Sequence, residues 1–531
     1  MSLLGMLQQS VEMYKNKIAI SETNRTVTYG ELNALSNQYY DWLEEKGVSV
    51  NDIVAIELER SIEAIAAMIA ILKHGATYTV INKDYPETRK EYMRQTLDIK
   101  ITIESVFEVD HQRMEEWSGV TRTEDQMCYV IFTSGTTSLP KAVGIPDRGV
   151  VRLLHEDRLG WDAAKTISHI SPLEFDASII EIWGGLLSGM TIALLSKTEV
   201  LNIYLVEKRI QQEIDIMWIT SSLFNFWVDK KPEMFKKLSH VIVGGEQLSL
   251  SHVEKVLPFT KVINGYGPTE NTVFTTLDVM EGSVDEIAIG TPISGTEVYI
   301  VNEQGEMSNE GELYAAGEGV ALGYLGNPEK TKESFISWNG LPVYKTGDLV
   351  RVNADGRIIY MGRKDTQVKI NGYRIDLQEI ESTVKSLGIS NCHAFVQDKK
   401  IYLAVTTRQE NIASQLKRLL PIYMIPSKIA YVSELPLTGN GKTDTKTLYE
   451  HYFITKTKRL IRILQRYLNA DITEQTNLFE FAIDSITIWE IAREINHSFH
   501  SDLSFFDIIE NPTVNEITKM LGEEYDAAYN L

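Results

Sequence analysis

The chain has 531 residues and a net charge of −21, with 43% hydrophobic and 24% charged residues. That length and composition imply about two to four globular domains with sizeable cores. The acidic balance argues against nonspecific binding to nucleic acid or anionic membrane, because arrays of phosphates demand basic patches. The two cysteines, Cys128 and Cys392, have no metal-ligand spacing, so neither a zinc site nor a disulfide framework is expected. No apolar signal core follows Met1, and Ile62–Leu72 is too short to span a bilayer. A cytoplasmic protein without a membrane partner is expected.

In chain order, residues 1–125 alternate strand and helix patterns. Strands are expected at 26–29, 52–57 and 76–82, and helices at 31–46 and 62–73. Leu32, Leu35, Tyr39 and Leu43 line one face of the first helix. This rhythm predicts a layered α/β domain. The run Tyr129-Val130-Ile131-Phe132 reads as a buried strand. It feeds the loop Thr133-Ser134-Gly135-Thr136-Thr137-Ser138-Leu139-Pro140-Lys141. Hydroxyls, backbone N–H groups and a lysine in one flexible loop suit a polyphosphate, and a polar surface turn is the other reading. The loop lacks the terminal Gly-Lys-Ser/Thr of a Walker A motif. Asp176, in Phe175-Asp176-Ala177-Ser178, precedes an apolar helix over 179–187. It reads either as an N-cap or as a carboxylate for a cationic group.

Two further strands run into glycines, at Val241–Glu246 and Val262–Glu270. Ligands of open α/β sheets collect at such carboxyl ends. Tyr266 offers a stacking face and Glu270 an oxygen ligand for a divalent cation. Short strands and frequent glycines over 285–362 predict a β-rich lobe. Residues 366–450 form a compact α+β segment with a helix at 376–387 and a strand at 401–406. Residues 451–458 read as a linker, and about 459–525 as helical, the best helix opening at Asp484-Ser485.

Taken together, Thr28–Leu32, the 133–141 loop, Phe175–Ser178, Tyr266–Glu270, Gly311–Leu313, Tyr344–Asp348, Gly362–Lys369 and Asn440–Lys442 resemble the ANL superfamily of adenylating enzymes. The specific resemblance is to amino-acid adenylation domains of nonribosomal peptide synthetases, over about residues 10–450. The tail resembles a peptidyl carrier protein. The resemblance implies a multidomain fold. A large α/β adenylation core with a β-rich lobe spans 1–364, and a small α+β mobile domain spans 365–450. The linker 451–458 then leads to an all-α four-helix carrier domain at 459–525.

It also implies an activity in two steps. An amino-acid carboxylate attacks the α-phosphorus of ATP, giving aminoacyl-AMP, and the thiol of 4'-phosphopantetheine on Ser485 then takes the acyl group as a thioester. Ser134, Gly135, Thr136, Thr137 and Lys141 are expected around the pyrophosphate, with Thr269 and Glu270 at phosphate and Mg²⁺. Tyr266 is expected against adenine, with Asn264, Gly245 and Glu246 at its edge. Asp348 is placed at the ribose with Arg363 nearby, Lys442 at the transition state, Asp365 as hinge and Gly372 toward the pantetheine arm. Asp176 pairs with the substrate α-ammonium. Ala177, Ile180, Ile219, Ile242, Gly244, Gly265, Val273 and Phe274 match the side-chain pocket and read as aliphatic, with valine favoured over isoleucine and leucine.

Ser138 departs from a usual glycine, Thr445 from a usual arginine, and Ala482-Ile483 from a usual Gly-Gly. With no condensation domain in the length, the expected partners are a phosphopantetheinyl transferase and a downstream condensation or tailoring enzyme in trans. The competing expectations are a carboxylate ligase for a non-amino acid and a degenerate carrier scaffold.

Overall fold

The computed structural model describes residues 2–107, 117, 119–134, 139–409, 411–438, 443–481, 483–499 and 501–522, and the backbone of 528–530. The chain forms two compact units, Met1–Glu379 with Arg418–Tyr423, and Ile380–Lys417 with Met424–Leu531. Residues 365–379, expected with the smaller domain, therefore pack within the larger unit. The reason is a hairpin, Gln367–Ile370 and Tyr373–Asp376, whose polar groups bond deep in that unit. Arg374 reaches Glu270 at 2.8 Å, and the Gly372 N–H reaches Glu246 at 2.7 Å.

The larger unit is built on a nine-stranded sheet. Its middle strands are His240–Gly244, Ile216–Thr220 and Thr166–His169, mutually parallel, with Lys261–Tyr266 parallel on the outer side. These strands are buried on both faces, so they read as continuous apolar runs. Side chains still alternate. Ile167, Trp218, Ile242 and Ile263 enter one core, while Met217, Ile219, Val241, Val243 and Val262 enter the other.

A six-stranded sheet holds Thr77–Val80 and Met127–Thr133 at its centre, and the helix Ile62–Lys73 is buried along its whole length. The helix expected from Glu31 begins two residues earlier, at Tyr29. Thr28 caps it, and the Glu31 side chain returns to the Thr28 N–H. The β-rich lobe is a five-stranded antiparallel sheet including Glu310–Gly317, Leu341–Val352 and Ile358–Arg363.

In the second unit, Cys392–Gln397, Lys400–Val405 and Lys428–Tyr431 form a sheet extended by the backbone of Ala528–Asn530. Within the stretch 451–458, Tyr449–Phe453 closes the preceding helix and Lys456 opens the next, with Thr455 as its cap. The carrier segment packs the helices Lys456–Leu468, Ser485–Phe499, Phe505–Glu510 and Val514–Met520 around Leu464, Ile491, Ile495 and Ile517. Both cysteines are buried and free. Among the described residues no helix is long and apolar enough to cross a membrane.

Candidate active site

The carboxyl ends of the parallel strands converge on one cleft, as the geometry of an open α/β sheet dictates. Gly135, Thr136, Thr137, Ser138 and Lys442 lie outside the described residues. Ser134 lines the cleft, and Lys141 lies close to Glu270 and Arg374. The Ser134 hydroxyl donates to the carbonyl of Arg374 at 2.7 Å. Lys141 is buried, with its ammonium 5.4 Å from the centre of the Tyr324 ring. Burial lowers its pKa and the charge of Arg374 adds to the effect, while Glu270 opposes it.

Glu270 is 1% exposed. It accepts from the Tyr324 hydroxyl and from Arg374 Nη1, each at 2.8 Å. Burial pushes its carboxyl upward, but the Arg374 charge, the Tyr324 hydroxyl, a backbone N–H and the Lys141 charge together hold it below the usual range. Among the described residues no group of three or more metal-ligating side chains forms. The ionised Glu270 carboxylate would suit a Mg²⁺ ion that brings phosphate oxygens and water as its other ligands, with Arg374 yielding its place on Oε2.

Asp348, 3% exposed, accepts from the Tyr266 hydroxyl and from Arg363 Nη1, each at 2.5 Å. Arg363 also holds Asp365, at 2.7 and 2.8 Å. Burial raises the Asp365 carboxyl, yet the hydrogen bonds and charge of Arg363 keep it below its ordinary value. Lys369 places its ammonium 5.7 Å from the centre of the Tyr266 ring, the ring expected to meet adenine. The Asn264 amide donates to the Ala288 carbonyl at 2.6 Å. Glu246 accepts from Ser222 and from Gly372, and Gly245, with φ +83°, lies against Gly372.

The hairpin turn explains how Lys369 and Arg374 arrive there. Asn371 and Gly372 have φ values of +52° and +83°, the two-residue turn that Asn-Gly favours. The signal was legible in Asn371-Gly372, but which charges the hairpin delivers depends on tertiary packing.

Asp176 stands where the nucleotide cleft meets a second cavity of about 130 Å³. It occupies the N-cap position of the following helix, but its side chain makes no capping bond there. Its carboxylate accepts from the Thr269 hydroxyl at 2.6 Å. Burial raises its pKa, and the Thr269 bond and Lys369 oppose that. Of the residues matched to the side-chain pocket, Ala177, Gly265, Val273 and Phe274 line this cavity. Ile180 and Ile242 are buried in the core beneath it, and Gly244 serves close strand packing, since a Cβ there would lie 2.3 Å from the Gly265 carbonyl oxygen.

Ile219 is a correction. It enters the opposite core with Met217 and Phe224, and its strand neighbours Trp218 and Thr220 line the cavity instead. A strand alternates faces, so a one-residue error moves a side chain to the other side of the sheet. An all-apolar strand hides that register. Thr220 brings a hydroxyl to a wall that the eight matched positions describe as aliphatic. That oxygen caps the helix Ser221–Lys230 by accepting from the Leu223 N–H at 3.4 Å.

A buried pair fixes the wall beside Asp176. His169 Nδ1 lies 2.6 Å from Glu181 Oε2, and both side chains are fully buried. Glu181 also accepts the N–H groups of Ile170 and Ser171, at 3.1 and 3.0 Å. Phe175 and Tyr373 line the cavity, Phe175 edge-on to Tyr373, and Tyr373 stacks on Tyr423 with ring centres 4.2 Å apart.

In the second unit Ser485 is exposed at the first position of its helix. Asp484 accepts from the Thr487 N–H and hydroxyl, both at 2.8 Å. Thr445, the departure from arginine, is 3.2 Å from His393 Nε2.

Residues 7–325 match the family model for AMP-binding enzyme, and residues 458–521 match that for a phosphopantetheine attachment site. A component of the plipastatin synthase of Bacillus subtilis (strain 168) is 33% identical over 97% of this chain. Bacitracin synthase 1 of Bacillus licheniformis is 33% identical over 93% of it. The chain spans only 22% and 10% of their respective lengths. The structure of holo-PA1221, an NRPS protein containing adenylation and PCP domains bound to a vinylsulfonamide inhibitor, has a TM-score of 0.78 and 28% identity. That match covers 99% of this chain and 97% of the other. Fold and cleft together define the class as an adenylating core followed by a helical carrier. The chain belongs to the AMP-binding enzyme family, in the form that nonribosomal peptide synthetases join to a phosphopantetheine carrier domain.

Proposed function

We propose that the protein activates an α-amino acid with ATP, releasing pyrophosphate, and loads it on its own carrier through Ser485. One observation carries the amino-acid reading: Asp176 lines both the nucleotide cleft and the side-chain cavity. A substrate whose carboxyl meets the α-phosphate sets its α-ammonium at that junction. A carboxylate already made costly by burial gains from such a cation.

Lys141 and Ser134 support a role at the phosphates, and Glu270 at Mg²⁺. Tyr266, Asp348 and Arg363 support adenine and ribose recognition, for which the Lys369 ammonium must leave the Tyr266 ring. The remaining assignments, to Gly135, Thr136, Thr137 and Lys442, rest on the resemblance. Catalysis here is positioning and charge stabilisation around the phosphorus. Phosphopantetheine on Ser485 supplies the thiol that accepts the acyl group.

Ala177, Val273 and Phe274 favour a branched aliphatic side chain, with valine the first choice. A second reading has its own observation. The Trp218 indole N–H is buried with no hydrogen-bond partner among the described residues, which favours a substrate side chain bearing an acceptor. The partners proposed are a phosphopantetheinyl transferase and a condensation or tailoring enzyme that takes the thioester.

Pyrophosphate exchange measured across the amino acids tests this function. Valine or a close aliphatic is expected to give the highest rate, and Asp176→Ala is expected to abolish it. Exchange driven only by non-amino acids would establish a different carboxylate ligase. A chain that supports exchange with none of the acids would be a carrier scaffold.

A further inference from the structure

The wall formed by Val273 and Phe274 is held in an unusual backbone. Thr272 and Val273, both β-branched, have φ values of +49° and +65°. The Phe274 N–H donates to the Thr272 carbonyl at 2.8 Å, closing a γ-turn of the rarer, strained hand with Val273 at its centre. A β-branched residue in this region is an outlier that persists only when its surroundings over-determine it.

The Thr272 hydroxyl donates to the Gly319 carbonyl at 2.7 Å, and one side chain, Arg152, holds the carbonyls of the turn. Arg152 is 0% exposed. Its Nη2 donates to the carbonyls of Asn271, Thr272 and Phe274, at 2.9, 3.0 and 2.8 Å. Its Nη1 donates to the Thr296 hydroxyl. Gly319 gives the guanidinium its space, since a Cβ there would lie 2.2 Å from Nη1. Burial lowers the arginine pKa to about 9, and Glu318, Tyr129 and Glu156 oppose that. So large a desolvation cost, spent on three carbonyls of one turn and one hydroxyl with no hydrogen-bonded carboxylate among the described residues, needs a return beyond general packing.

We infer that Arg152 is a positioning residue of the substrate pocket: it clamps the strained Thr272–Phe274 turn so that Val273 and Phe274 keep a fixed wall, and it thereby sets the size preference for the substrate side chain. The inference rests on the amino-acid reading of the cavity.

The test is a double-mutant cycle on the full chain, read by pyrophosphate exchange with valine and with alanine. Lysine is shorter than arginine and has a single terminal nitrogen, so it cannot hold both the turn carbonyls and Thr296, and Arg152→Lys is expected to lower the valine-to-alanine ratio of kcat/KM about fivefold or more, as for loss of a hydrophobic wall contact. The KM for ATP should stay within about twofold. Val273→Gly relieves the turn, so adding Arg152→Lys to it should change the ratio no further. Additive effects in the cycle, or a parallel rise in the KM for ATP, would overturn the inference. If Arg152→Lys is recovered unfolded, Thr296→Val carries the test by removing the Nη1 anchor alone. It should shift the ratio in the same direction, and an unchanged ratio defeats the proposal. A wild-type protein that activates another acid class overturns the amino-acid reading instead, and the same ratio is then taken between two homologues of that acid.

Discussion

Glu270 and Arg374 form a buried ion pair of 2.8 Å, and such pairs are costly to break from one side. Because the Glu270 carboxyl is held below its usual value, its contribution to stability is present at neutral pH and is lost as acid protonates it. Arg374→Met leaves that carboxylate with the Tyr324 hydroxyl, a backbone N–H and the more distant Lys141 charge. Urea unfolding should show a loss of about 3–5 kcal/mol at pH 7, shrinking as the pH falls below the carboxylate range. Lys73 behaves oppositely. It is fully buried, its ammonium held by Asn33, Ser36 and Asn37 at 2.6, 2.8 and 2.6 Å, and burial lowers its pKa to about 7. Above that pH the folded state binds fewer protons here than the unfolded state. Stability from this group should therefore rise with pH up to the ordinary lysine range, by at most about 1.4 kcal/mol per unit. Lys73→Met should erase that rise, and identical pH slopes in the two proteins would refute it.

Among the elements, the hairpin of Gln367–Ile370 and Tyr373–Asp376 decides the state of the cleft. It carries Lys369 to Tyr266 and Arg374 to Glu270, so the charges that meet these residues in this conformation come from the chain. Its Asn371-Gly372 turn requires positive φ, and a Cβ at Gly372 would lie 2.6 Å from Thr220 Cγ2. Gly372→Ala should cost about 1–3 kcal/mol in unfolding of the full chain. An unchanged midpoint would show that the turn is not held as described. The helix before the cavity is an element of the same kind. It widens to a π-helical turn at Ile180–Gly184, and Glu181 in that turn pairs with His169.

For the whole molecule, the adenylating core and the carrier occupy separate units, each with its own hydrophobic centre. Ser485 is exposed at a capped helix start, which suits attachment of a long arm. Incubation with a phosphopantetheinyl transferase and coenzyme A should add one arm by intact mass, and amino acid with ATP should then add one acyl group. Ser485→Ala should prevent both gains while leaving pyrophosphate exchange at its wild-type rate. Loss of exchange in that variant would refute the division of labour.

The sequence by itself determined the class, the order of the elements and the motifs expected around the cleft. Motifs such as Tyr266–Glu270 and Tyr344–Asp348 are local, and strand and helix periods are written in short windows. The buried helix Ile62–Lys73 and the Ser485 helix were legible for that reason. Tertiary structure alone decided the rest. Which face of Ile216–Thr220 meets the cavity could not be read, because a strand buried on both sides shows no alternation, and so Trp218 and Thr220 displaced Ile219. The partners of buried charges were equally hidden. Arg152 lies 119 positions from Asn271, and Arg374 lies 104 from Glu270. Only the folded chain sets their distances, and in a low-dielectric interior distance decides whether a charge is paired or costly.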